Sequence, residues 1–196
     1  MEAVAKILFI FVSMMRPEPN ALLVAQPLLR DPNFIRTVVL LVAHDSGGSL
    51  GFVLNRPAPV RVQEVTDYFG AIDYPLFIGG PVQRNTLHIV HALGEILPES
   101  QPVGKSLYWS GSWKHLRSIL AVRDLPPNTI RFFAGYAGWA PGQLEAEIAH
   151  NAWFVFPAKP EYVFSEEPEK LWEKVLLDQG GPYAQLTRYP ADPRLN

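Results

Sequence analysis

The chain has 196 residues, 48% of them hydrophobic, and no cysteine. That length can bury the core of a single domain without staples, and the missing cysteine excludes disulfide scaffolding, thiolate catalysis and thiolate metal sites together. With 17 Lys and Arg against 19 Asp and Glu the formal net charge is −2, and the basic residues are scattered singly. A dedicated nucleic-acid binder shows a basic excess or stripe, because it must neutralise phosphates.

The first feature in chain order is Ile7 to Met15, ILFIFVSMM, apolar over nine positions and too short for a transmembrane helix, which needs about 20. A signal peptide asks for a stronger basic start than Lys6 beside Glu2, and for a small-residue cleavage site that MMRPEPN does not offer. Residues 1–15 therefore read as an apolar N-terminal extension, dispensable or lying upstream of a start at Met14 or Met15. Residues 16–196 read as one domain, cytoplasmic and without a membrane segment.

Ala21 to Gln26 predicts a short strand, and Asp31-Pro32-Asn33 a cap and first-turn proline opening a brief helical turn. TVVLLVA, Thr37 to Ala43, is apolar and β-branched without alternation, as in a strand buried on both faces. The glycine-rich turn His44 to Ser49 returns it as a second strand, Leu50 to Asn55, so the two form a hairpin. Val62 to Phe69 predicts a helix stopped by Gly70, and Pro75 to Ile78 a strand running into Gly79-Gly80-Pro81. Leu87 to Ala92 and Leu107 to Trp109 are further strands. Trp113, Leu116 and Leu120 make Trp113 to Val122 an amphipathic helix.

Ile130 to Tyr136 predicts a strand leading into GYAGWAPGQLEAEI, Gly135 to Ile148, and Trp153 to Phe156 another. Ser165 to Leu177 carries acids in its first turn and Gly180-Gly181 past its end, which predicts a helix. In the tail, Tyr183, Leu186 and Tyr189 are placed to pin the chain to the body. Strands and helices intermix without a regular βαβ beat, so the fold class is α+β with a mixed sheet.

Most catalytic motifs fail on context. Gly47-Gly48-Ser49-Leu50-Gly51 matches the G-x-S-x-G pattern, but a nucleophile elbow sits between strand and helix and a strand follows here. Glu147 and His150 have Glu-x-x-His spacing without the second copy that a carboxylate-bridged metal pair needs. His88 and His91, three apart on a strand, point to opposite faces. No metal and no cofactor are expected.

GYAGWAPGQLEAEI offers more. Gly135 and Gly138 suit close approaches that a side chain forbids, and Pro141 suits the first position of a helix. Ala140 has no side-chain oxygen to cap with, so the amides of Gly142 and Gln143 look for an acceptor: a carboxylate of the chain or an anionic ligand. The helical wheel sets Leu144 and Ile148 on the apolar face with Glu145 beside it, and Gln143, Glu147 and His150 opposite. Glu145 is then the partly buried acid, with Arg36 or Arg56 as its partner in an ion pair or a site.

Three segments in order, DPNFIRTVVLLVAHDSGGSLGFVLNRP (Asp31 to Pro57), FIGGPV (Phe77 to Val82) and GYAGWAPGQLEAEI followed by Asn151-Ala152-Trp153, resemble the YqgE/AlgH family of bacterial proteins. The likeness runs from about Ala21 through a family-like tail, Tyr183 to Asn196, and residues 1–15 depart from it. It implies one α+β domain whose bent mixed sheet forms a partial barrel with helices packed outside. It also implies a transcriptional-regulator label, without a reaction, ligand or catalytic set.

The leading expectation is a regulatory or binding protein without catalysis, acting through a small anionic ligand or a protein partner rather than by touching DNA. Its candidate surface combines Arg36, Asn55, Arg56, Gly79, Gly80, Tyr136, Trp139, Gly142, Gln143 and Glu145, which mix exposed amides with aromatic and polar side chains. Two alternatives stand beside it. One is a hydrolase on a small anionic substrate with Glu145, or His44 and Asp45, as acid or base. The other is a structural protein whose exposed Trp or Phe patch meets another chain.

Overall fold

The computed structural model describes residues 16–190 except 71, 124 and 127, so the apolar N-terminal extension and the last six residues lie outside it. β1 (Ala21–Ala25) and β2 (Val38–Asp45) are the expected apolar runs, and β1 and the first five residues of β2 are buried throughout. At the end of β2 the Asp45 carboxylate accepts the Gly47 N–H at 2.6 Å, and Gly48, at φ +127, turns the chain into β3 (Gly48–Val53).

β4 (Pro57–Arg61) is a strand the sequence hides, because Pro57 and Pro59 lack the N–H of a ladder. It pairs with β5 (Pro75–Ile78) at two irregular positions, Pro57↔Phe77 and Arg61↔Pro75. Between them the helix expected over Val62 to Phe69 is a single turn, α1 (Val62–Val65). β6 (Val82–His91) is longer than expected, and β7 (Gln101–Pro102) and β8 (Tyr108–Trp109) finish that edge. α2 (Trp113–Val122) has the expected bounds.

β9 (Ile130–Trp139) follows, then α3 (Gln143–Ala149) and β10 (Trp153–Pro157). Three short helices close the chain: α4 (Pro160–Val163), α5 (Leu171–Gln179) and α6 (Gly181–Leu186). The helix expected from Ser165 starts late because Pro168 opens a separate 3-10 turn, Pro168–Lys170. The tail is pinned as anticipated, with Leu186 buried and Tyr183 and Tyr189 packed against the core.

Ten strands form one sheet in the order β10-β1-β2-β3-β9-β6-β8-β7, with β5 joining β9 and β4 joining β5. β5 runs parallel to β9 and the other pairs are antiparallel, so the sheet is mixed. The path is open at β10 and β7, without the closure a barrel needs.

β9 is where the sheet forks. Its C-terminal end pairs with β3, Ser49↔Trp139 to Gly51↔Ala137, while its earlier residues pair on the same edge with β5, Leu76↔Phe132 to Ile78↔Ala134. Gly79 spans the gap, donating its N–H to Ala134 (2.9 Å) and accepting that of Val53 (2.8 Å). A Cβ on Gly79 would stand 2.2 Å from the Gly135 carbonyl oxygen, and one on Gly80 would stand 2.2 Å from the Tyr136 carbonyl. On the other edge β6 slips register between Val82 and Leu87, opposite Gly135 at φ +69. That bulge reverses the side-chain alternation: Phe133 and Tyr136, three apart, face the same core.

Two faces follow. One carries Leu22, Leu40, Phe52 and Phe133 under Tyr162, Trp172, Val175 and Leu186 of α4, α5 and α6. The other is covered in two halves: Leu23, Val39 and Trp153 by Leu144 of α3, and Ile89 and Phe132 by Leu116 and Leu120 of α2.

Gly80→Ala is expected to cost about 3 kcal/mol or to prevent folding, because backbone on both sides must shift. Gly142→Ala, in open space at φ +75, should cost only about 1 kcal/mol. Urea unfolding of both variants checks the order, and a Gly80→Ala protein as stable as wild type contradicts this packing.

Candidate functional site

The segment Gly135 to Ile148 delivers a strand end, a turn and a helix. The helix begins at Gln143, two residues after Pro141, because Gly142 at φ +75 and ψ −8 holds the turn before it. The open amides expected here are partly closed from within: Gln143 N–H donates to the Ala140 carbonyl (3.0 Å), and the Gln143 side-chain oxygen accepts the Ala140 N–H (3.0 Å). Gln143 thus closes the turn before its own helix, and its backbone amide is already paired.

The acid that matters locally is Glu147, not Glu145. Glu147 Oε2 accepts the indole N–H of Trp139 (2.9 Å) and of Trp153 (2.8 Å), and Oε1 accepts the Gln143 side-chain amide (2.8 Å). The two indoles stand edge to face at 6.0 Å, with Phe34 against both. The helical wheel sets Glu147 on the outer face because it ranks positions by the apolar stripe of Leu144 and Ile148 alone. The signal was Trp139 and Trp153 themselves, since a buried indole N–H requires an acceptor. Glu145 is exposed, and its contact is with His44 Nε2 at 3.6 Å, not with Arg36 or Arg56.

Those two arginines serve the loop before β2. Arg36, a non-glycine residue at φ +51, donates to the Tyr189 carbonyl and lies 4.6 Å over Trp172, which fastens the tail. Its Nε is buried without a partner. Arg56 donates to the Ile35 carbonyl, and burial lowers its pKa. Asn55, buried, accepts the Val38 N–H (2.9 Å) and donates to the Arg36 carbonyl (2.8 Å), extending the hairpin ladder with a side chain. With Gly79 and Gly80 at the fork, and Trp139 5% exposed, these expected surface groups are turned into the fold.

Of the rest, Gly142, Gln143 and Glu145 are exposed and Tyr136 is partly open. It is half-buried with its ring against His88, and it lines a shallow depression of about 500 Å³ with Ser49, Leu50, Val82 and Gly138. Behind Ser49, His44 Nδ1 lies 2.8 Å from the Ser49 hydroxyl while its Nε2 faces Glu145. A hydroxyl, an imidazole and a carboxylate therefore stand in line, a relation the sequence hides because it joins a hairpin to a helix a hundred residues away. Asp45 is occupied by Gly47 and plays no part in that line. The exposed large hydrophobics include no Trp or Phe among the described residues, so the aromatic contact patch of a structural partner protein is not present there.

The remaining histidines do not converge. Among the described residues no group of three or more His, Asp or Glu is placed to hold a metal ion. His88 bonds Thr86 (2.8 Å). His91 is buried, accepts the Leu93 N–H on Nδ1 (3.2 Å) and so donates from Nε2 to the Ser110 carbonyl (2.9 Å). Burial pushes its pKa below 6.5, against the opposing pull of the Ser110 bond.

Glu147→Ala, which strands two indole N–H groups, should lose about 2–4 kcal/mol in urea unfolding, while Glu145→Ala should stay within about 0.5 kcal/mol. Equal losses would remove the distinction between the two acids. For His91, a depressed folded pKa means that the unfolded chain binds more protons below 6.5. Its contribution is complete above that pH and is lost as pH falls. The urea midpoint should therefore drop between about pH 7.5 and about pH 5, and drop less in His91→Gln. Parallel curves for the two proteins would contradict this.

The sequence profile described as AlgH-like matches residues 22–184. A UPF0301 protein of Chlorobium luteolum is 41% identical over 187 residues, covering 95% of this chain and 99% of that one. A UPF0301 protein of Chlorobaculum tepidum is 39% identical over 179 residues, covering 91% and 96%. Among solved structures, a Corynebacterium diphtheriae protein superposes with a TM-score of 0.77 at 26% identity, over 93% of this chain and 97% of that one. The solution structure of the AlgH protein of Pseudomonas aeruginosa gives 0.69 at 31%, over 90% and 98%. By the profile and by these relatives alike, the chain belongs to the AlgH-like family.

Proposed function

We propose that this protein is a cytoplasmic binding protein that acts in regulation through a small anionic ligand or a protein partner, without chemistry of its own. The observation that carries this reading is the contrast within the motif: its polar groups bond to one another, while Tyr136 is left on an open floor beside Ser49, Leu50 and Val82. A shallow surface with one aromatic anchor suits docking better than turnover, which calls for an enclosed, water-excluding site. Gly142, Gln143 and Glu145, exposed on the same motif, would form the rim. The net charge of −2 supports action through a partner rather than on DNA, where released counterions drive affinity.

A second reading is favoured by one feature, the line from Ser49 through His44 to Glu145, which has the order of an acyl-transfer relay. The depression beside it is open, and the Gly47 amide nearby is already bonded to Asp45. A fluorophosphonate probe separates the two readings. The binding protein leaves Ser49 unlabelled, whereas labelling that His44→Ala abolishes would establish the hydrolase. For docking, tagged wild type and Tyr136→Ala of matched thermal stability are used as bait in extract of the source cell. A protein held by wild type and lost by the variant is expected, and identical captures would remove Tyr136 from the docking face.

A further inference from the structure

At the other end of β9 a different polar group lies inside the fold. Arg131 sits in the apolar run Ile130-Arg131-Phe132-Phe133 and is 8% exposed. Its guanidinium donates to the carbonyls of Leu54 (3.2 Å) and Ser165 (2.7 Å) and lies 4.2 Å over the Phe77 ring. Among the described residues no carboxylate is within ion-pair distance of it. Burial lowers its pKa to about 10, which leaves it charged at neutral pH. A buried cation held only by neutral dipoles is costly, and a planar fork with spare N–H groups matches a carboxylate edge.

Arg131 lines a groove of about 740 Å³ between β4, β5, the end of α2 and the segment after α4. The volume is that of a site for a small organic molecule. The walls are mixed, and Phe77, Pro75, Ile72, Leu120 and Phe164 supply their apolar part. The charged groups that line it balance, Arg61, Arg123 and Arg131 against Asp73, Glu166 and Glu169, and Arg61 is already tied to Asp73. One negative charge on a guest complements Arg131, whereas a phosphate brings a second charge toward the glutamates.

We propose that this groove binds a small monocarboxylate with an apolar body, its carboxylate seated on Arg131 and its body laid along Phe77, Pro75 and Leu120. The site shares no lining residue with the depression beside Tyr136, so neither assignment depends on the other. The carboxylate accepts from the Arg131 N–H groups that the Leu54 and Ser165 carbonyls leave unused, and the apolar body lies on the apolar part of the wall beside Phe77.

The test is calorimetric titration of the full chain with 1-naphthoate, 1-naphthamide and 1-naphthyl phosphate, with the Arg131 Nε–H signal followed by NMR. Saturable binding of naphthoate that moves that signal is expected, with the neutral amide weaker by about tenfold or more and the phosphate no tighter. Arg131→Gln should lose about tenfold or more for naphthoate and little for the amide. Because that variant alters a buried position, Glu169→Lys, on the exposed rim, gives an independent reading. It should tighten naphthoate and steepen its salt dependence while leaving the amide unchanged. The assignment is overturned by no saturable naphthoate binding, by amide binding as tight, by tighter phosphate binding, or by a Glu169→Lys protein with unchanged naphthoate affinity.

Discussion

The structure depends on a backbone contact, the crossing of Gly79 and Gly80 over Gly135 and Tyr136. Any side chain at either of the first two positions would meet main-chain atoms, so β5 can enter the sheet only through a glycine pair. That entry divides the edge of β9 between β3 and β5. The bulge at Gly135 then turns Phe133 and Tyr136 to the same side. Without it, simple alternation would direct Tyr136 away from the core that Phe133 faces, and the open floor beside Ser49 would lose its aromatic.

The polar residues near this crossing work mainly where regular pairing stops. Asn55 continues the β2–β3 ladder after the backbone leaves it, Gln143 closes the turn into α3, and Arg36 receives the returning tail. For Asn55 and Arg36 the main-chain groups served lie in the fold, where an unpaired one costs about 1–3 kcal/mol, while the Ala140 N–H that Gln143 serves is exposed. A polar residue in a glycine-rich motif therefore has two readings from sequence, and the deciding fact is whether backbone nearby lacks a partner.

This is also why the sequence was legible in some places and not in others. Continuous apolar runs such as VVLLV, and the spacing of Trp113, Leu116 and Leu120, depend on local periodicity and gave strand and helix bounds close to those found. β4 was missed because its prolines disguise an irregular edge strand, and the start of α3 because a left-handed Gly142 displaces it past the proline. Choosing Glu145 over Glu147 failed for a different reason. The wheel ranks positions by an apolar stripe, yet Glu147 is drawn inward by two indole N–H groups supplied by β9 and β10, and no local pattern carries that. The close approach expected at Gly135 is made by the main chain of Val82 and Arg84 and that at Gly138 by the Tyr136 ring, whereas Gly79 and Gly80, expected to expose amides, pack against main chain, and Gly142 stands in open space.

The two ends of β9 handle a charged side chain in the same way but leave it in different states. Glu147 and Arg131 are each held by neutral dipoles rather than by a counter-ion: indole and amide N–H groups for the carboxylate, two carbonyls for the guanidinium. Dipoles fixed by the fold need no reorganisation and are little affected by salt, so both arrangements are rigid. Glu147, however, has both oxygens engaged by groups that belong to the fold. Its loss is felt as stability. Arg131 has N–H groups to spare and a groove in front of them. An anion arriving there binds the folded chain and not the unfolded one, so occupancy raises stability in proportion to the logarithm of its concentration once the site is saturated. A buried charge with its valences filled is architecture, and one with valences open toward a cavity is a site.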